Sequence, residues 1–290
     1  MLPHSAGGYG VSNFKRTALM LTLPASIVAI SLYAAPIAQV LALSVTEPTI
    51  GWSNYQRLFA NPAVGRVVMT TLKVSATTTV LTVLASYIVA FELIHLSARL
   101  RRVALFLVLV PFWISVLVRA FSWITILRRQ GILNSALIKT GIVSTPLELV
   151  YNLLGVTIGM VHYMIPFATL LLYANLSDID RRIMQAARSL GASPAIVFYR
   201  VWLPLSLPGI ALSTLFVFVF SLGFLVTPAL LGAGKVLMLA EYVSIQISNT
   251  SRWDLATSLS TALLLVVGAL VFVAMRSSAL RAVFTAKPQP

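Results

Sequence analysis

The chain has 290 residues, of which 59% are apolar and 10% charged, with Lys and Arg outnumbering Asp and Glu 21 to 7 and no cysteine. That composition excludes an ordinary soluble domain, and the missing cysteine excludes disulfides and thiolate metal sites. A formal net charge of +14 would suggest nucleic acid in a soluble protein, but in a chain this apolar it is read first as a clue to membrane orientation.

Residues 1–14 are aperiodic and contain Gly7, Gly8 and Gly10, which predicts a mobile or surface-lying stretch within a cytoplasmic tail, 1–17. Lys15 and Arg16 precede an apolar run at 18–43. A signal peptide has a hydrophobic region of only about 7–15 residues, so this run reads as an uncleaved spanning helix, with Pro24 and Pro36 as candidate kinks. The external segment that follows holds Trp52 and Tyr55, aromatic residues suited to a membrane interface. A second span is expected over 67–93. Ser75, Thr79, Thr82 and Ser86 form one hydroxyl-bearing stripe on it. Such hydroxyls either bond back to helix carbonyls and neighbouring helices or line a solvated pathway.

A third span, 103–127, contains Arg119, the one cation inside an expected span. An intramembrane ionisable residue marks a function by default, with snorkelling to the interface as the competing account. Trp113 and Trp123 read as interfacial or packing aromatics. External residues 128–148 include Gly131-Ile132-Leu133-Asn134 and a short amphipathic helix over 134–141. The fourth span, 149–176, carries Gly155 and Gly159 at a spacing that permits close helix contact, then His162, Tyr163 and Pro166. No further ligands accompany His162, so it reads as a hydrogen-bonded packing residue rather than a metal ligand.

Residues 177–204 are the long polar and basic interruption of the second half, yet they are patterned. Ile183, Ala186, Ala187 and Leu190 share one helical face. Gly191 stops that helix, and Ser193-Pro194 starts another, as N-cap and first helical residue, that ends at Leu203-Pro204. The result is a helix-break-helix lying on the membrane surface with an apolar and a basic face. A fifth span follows at 205–231 and a sixth at 255–275, with a tail at 276–290. Between these spans, Gly232-Ala233-Gly234-Lys235 fails as a phosphate-binding loop, because Ala229 and Val236 stand where Gly and Ser or Thr are required.

Lys and Arg are in excess on the side of Lys15, Arg99, Arg101, Arg102, Arg181, Arg182, Arg188, Arg200 and Arg276. That bias places both termini and the 177–204 loop in the cytoplasm. The carboxylates are dispersed toward the loops and the histidines are His4, His95 and His162, which offers neither a proton relay nor a catalytic constellation. A passive membrane part with a docking element remains.

The spacing Gln185-Ala186-Ala187, Gly191-Ala192, then Val201-Trp202-Leu203-Pro204 resembles the coupling-loop motif of ABC importer permeases. Gln185 replaces the motif's Glu and Val201 its Ile. Within that family the stretches Val118 to Trp123, Gly131 to Asn134 and Leu203 to Gly209 are similar to the spermidine and putrescine permeases. The resemblance implies an all-α membrane protein: six transmembrane helices in a type I, MetI-like bundle with a cytoplasmic coupling helix, in a bacterial inner membrane. It implies that Gln185, Ala186, Ala187, Arg188, Leu190, Gly191, Ala192 and Ser193 couple to an ATPase. The permease itself is then no enzyme and binds no cofactor, ATP and Mg being held by the partner ATPase subunits. The other implied partners are a second permease subunit and an external solute-binding protein, with no role for nucleic acid. Arg119, Trp123, Tyr87, Thr82, Tyr151, His162 and Tyr163 are the candidates for the solute pathway. The implied solute is a polyamine or related amine-containing compound. Relatives of this group carry aminoalkyl phosphonates, opines, amino-acid-like compounds or ferric iron. A secondary transporter would need an internal repeat, which the chain does not display, and a structural subunit would leave the motif spacing unexplained.

Overall fold

The computed structural model describes residues 9–48 and 50–276. The expected tails, 1–8 and beyond Arg276, lie outside the described residues. Every described element is helical: α1 (Tyr9–Thr46), α2 (Ser53–Ala60), α3 (Pro62–His95), α4 (Ala98–Leu109), α5 (Val116–Leu127), α6 (Ile132–Lys139), α7 (Leu153–Ser177), α8 (Arg181–Ser189), α9 (Pro194–Val197), α10 (Leu203–Leu222), α11 (Val226–Gly232), α12 (Leu239–Ser248) and α13 (Trp253–Arg276). Five of these stretches are long and apolar enough to cross a membrane, and a bent pair can supply a sixth span.

Local signals explain several boundaries. Asn61 caps α3 by accepting from the Ala63 amide at 2.9 Å, with Pro62 in the first turn. Asn152 does the same for α7 through the Gly155 amide. Three departures from the sequence reading stand out. The first helix begins at Tyr9, inside the stretch expected to be tail, and runs through Pro24 and Pro36 without interruption. The third span is not one helix: α4 tightens into a 3-10 turn at Val110–Trp113, and the chain resumes as α5 with a 97° bend. Pro111 supplies the cause, since it lacks the amide that a continuing helix needs and its ring crowds the preceding turn. The stretch expected to be the fifth span breaks at Gly223, leaving α11 as a separate short helix.

At the centre, α3, α7 and α10 pack on one another. The apolar core there includes Val74, Met160, Met164, Ala168 and Val217. The helices approach closely because small residues face the seams. A Cβ on Gly209 would lie 2.4 Å from Asn175 Oδ1, and one on Gly159 would lie 2.7 Å from Thr227 Cγ2. The hydroxyl stripe of α3 is buried in this seam. Thr79 donates to its own helix at Ser75 O, and Ser86 donates across to Ile165 O of α7. One side of the bundle remains open: α1 packs chiefly on α13, and its apolar window is wholly exposed, as expected of a lipid-facing helix.

Gly209→Ala tests the seam. The added methyl has to displace Asn175, an overpacking cost of about 1–3 kcal/mol. A lowered melting temperature of the purified chain is expected, with recovery in the Gly209→Ala/Asn175→Ala double variant.

Candidate coupling surface and intramembrane cluster

Helix α8 is built from local rules and then held to the bundle at two points. The Asp180 carboxylate caps it, accepting from the Arg182 amide at 2.8 Å. At the other end Gly191 adopts φ +85°, the Gly191 amide donates to Arg188 O and the Ala192 amide to Ala187 O. These are the paired bonds of a left-handed helix cap, which glycine enters cheaply. Ser193 Oγ then accepts from the Ile196 amide and starts α9. The first anchor is Arg181, whose guanidinium donates to the Ile94 carbonyl at the end of α3. The second is Met184, packed against the apolar cluster that includes Ile94, Leu172, Leu176 and Trp202.

These anchors turn the helix differently from its sequence pattern. Of the apolar row Ile183, Ala186, Ala187 and Leu190, Ala187 is half-buried, whereas Ile183 is 45% and Leu190 89% exposed. Ile196 and Tyr199 are exposed as well. The cause is the geometry of Arg181 and Met184: with these two on the bundle, the apolar row has to face away. An exposed apolar patch of this kind suits contact with a protein or with the membrane. Gln185, Arg188, His95, Phe91 and Trp202 line a cleft of about 390 Å³ between α8 and the bundle. The second helical piece does not end at Leu203-Pro204 as expected. A π turn at Phe198–Trp202 carries it directly into α10. A regular helix would press the Arg200 carbonyl against the Pro204 ring, and a widened turn relieves that clash.

Four pathway candidates come together within the membrane. Arg119 and Trp123 lie one turn apart on α5 and face His162 and Tyr163 of α7, with Thr227 of α11 beside them. The Arg119 guanidinium sits over the Tyr163 ring, 4.4 Å from its centre. Trp123 Nε1 donates to His162 Nδ1 at 3.3 Å, and the two rings meet edge to face. Gly159 makes room for the cluster by letting α11 approach α7. The other candidates lie elsewhere. Tyr87, half-buried, meets Ser206 in the α3–α10 seam at 3.1 Å, and Thr82 is fully buried and borders no open space in this conformation. Tyr151 stands at the opposite end of α7 from α8, in the left-handed region at φ 61°. Among the described residues, no three His, Cys, Asp or Glu side chains are grouped to hold a metal.

The sequence reading missed an aromatic ladder. Phe216, Phe220 and Phe224 recur every fourth residue and pack beside Tyr163 and Phe167, with Phe112 edge-on to Phe167. Their spacing was the available signal.

A family model described as "Binding-protein-dependent transport system inner membrane component" matches residues 82–282. The chain is 35% identical over 227 residues to the spermidine/putrescine transport system permease protein PotB of Haemophilus influenzae, covering 78% of this chain and 79% of that one. It is 31% identical over the same length to PotB of Escherichia coli, covering 78% and 82%. Among solved structures, a bacterial alginate ABC transporter in complex with an alginate pentasaccharide-bound periplasmic protein superposes with a TM-score of 0.74, covering 94% of this chain and 99% of that one. At 18% identity that likeness is one of fold.

Arg119→Ala removes a desolvated cation–π contact of about 2 kcal/mol. Uptake by the reconstituted transporter is expected to fall severalfold with the complex still assembled, and unchanged uptake kinetics would assign Arg119 to helix packing alone.

Proposed function

From a chain that belongs to the binding-protein-dependent transport system inner membrane components, we propose a permease that forms half of a solute pathway and is driven through α8 by a separate ATPase. The chain is a multi-pass permease subunit of an importer, of the ABC permease family. The observation that carries the coupling role is the outward apolar row of α8, Ile183, Ala186 and Leu190, fixed at both helix ends and anchored below by Arg181 and Met184. A partner that covers this row gains apolar burial and acquires a lever on α3 and α10. Packed helices tend to switch between discrete arrangements rather than deform continuously. ATP-driven closure of the partner pair therefore moves the bundle from one access state to the other.

In this reading α8 and both ends of the chain face the cytoplasm, and ATP and Mg belong to the partner. A second permease chain completes the pathway, and a solute-binding protein meets the opposite end of the bundle. Identity to the spermidine/putrescine permeases supports a polyamine or a related amine-containing compound as solute. The aromatic ladder supports the same reading, because ring faces attract ammonium groups. Arg119 favours a second reading, a solute that adds an acidic group to its amine, since a bare cation is repelled by the guanidinium. Uptake of labelled spermidine in competition with putrescine, an aminoalkyl phosphonate and an amino acid separates the two.

Leu190→Asp tests the coupling role. The side chain is exposed, so the fold tolerates the change, whereas a carboxylate buried in an apolar contact costs several kcal/mol. The variant is expected to reach the membrane at normal levels, to lose co-purification with the ATPase and to lose uptake. Retained ATPase in equal numbers with the membrane chains would overturn the assignment.

A further inference from the structure

The end of the bundle away from α8 carries a basic cleft to which the coupling and pathway roles give no task. It measures about 210 Å³ and is bordered by Arg128, Arg129, Glu148, Tyr151 and Lys235. Three cations surround one carboxylate. Arg129 is hydrogen-bonded to Glu148, and Arg129 and Lys235 together hold the Glu148 carboxyl below the usual carboxylate range. The site therefore keeps a surplus of positive charge at any pH near neutral. Arg128 caps the C-terminus of α5, where a cation suits the helix dipole. The dipole favours Arg128 without neutralising it and Glu148 pairs with Arg129, so Arg128 and Lys235 carry the surplus charge. On the external side of a span such a cluster also runs against the usual bias of Lys and Arg to the cytoplasm.

The cleft is rigid. Asn134, fully buried, donates to the Arg128 and Leu147 carbonyls and accepts from the Leu147 amide, which ties the 142–148 loop to the end of α5. Lys235 sits on a tight turn closed by its amide to Gly232 O, with Ala233 and Gly234 both at positive φ. Tyr151 holds a fixed left-handed conformation on the remaining side. Preorganised charge of one sign recognises a surface of the other at little ordering cost.

We infer that this cleft receives an acidic patch of the solute-binding protein, with Arg128 and Lys235 as its steering charges. The inference rests on the importer reading above. Arg129 serves the cleft chiefly by fixing Glu148 and the loop.

The test uses the complete importer reconstituted in phosphatidylcholine vesicles, with ATP hydrolysis followed as loaded solute-binding protein is titrated. The binding protein is the one that stimulates the wild-type complex. Arg128→Glu and Lys235→Glu are each expected to raise its half-saturating concentration about tenfold, with basal and maximal hydrolysis unchanged. The wild-type half-saturation should rise steeply with salt, and that of the variants should not. Equal half-saturation in wild type and both variants overturns the inference. An effect that appears only when phosphatidylglycerol is added reassigns the cleft to lipid headgroups and overturns it too. A wild-type complex that no binding protein stimulates removes the importer reading itself, a result distinct from normal stimulation that ignores the charge reversals.

Discussion

Lipid gives apolar helices no hydrophobic reason to associate, so a bundle in a membrane is held by close contact and by polar groups satisfied between helices. In this protein that contact is the seam of α3, α7 and α10. Gly209 lies against Asn175, Ser86 donates to the Ile165 carbonyl, and a buried row of Ser and Thr side chains lets the backbones approach. Everything with a task is mounted on these three helices. The C-terminal ends of α3 and α7 hold α8, the middle of α7 supports the Arg119 cluster, and the segment that leads into α7 forms one wall of the basic cleft.

With 25 residues, α7 is about 37 Å long, so α8 and the basic cleft are separated by roughly the thickness of the membrane and joined by one stiff element. The joints lie at its flanks. The π turn at Phe198–Trp202 lies between α9 and α10, and the bend after Pro111 separates α4 from α5. Each is a place where the regular hydrogen-bond ladder is already broken, so rearrangement there sacrifices fewer backbone bonds than bending α7 would. Arg119 sits on the α5 side of one such joint and contacts α7 directly, a position from which a change in bend alters its contact with Tyr163.

Several features were legible in the linear chain. The end of α8 and the start of α9 follow from Gly191 and Ser193, because capping depends only on neighbours within one turn. Arg119 and Trp123 were both singled out from the chain, and both meet α7. Other readings failed for physical reasons. Local pattern gave α8 an apolar face but not its direction, which was decided by Arg181 reaching a carbonyl 87 residues away. The hydroxyl stripe of α3, by contrast, packs in a seam and bonds within and between helices, as its spacing allowed.

Composition and pattern alone determined that the chain crosses a membrane several times, that a capped helix interrupts its polar loop, and which residue types are scarce enough to matter. These properties are set by hydropathy and by contacts within a turn. Tertiary structure alone decided where α8 turns its apolar row, that Arg119 lies on Tyr163 rather than reaching for the interface, and that Arg128, Arg129 and Lys235 converge on one cleft. Such arrangements depend on which helices become neighbours, and no short stretch of sequence contains both sides of a contact.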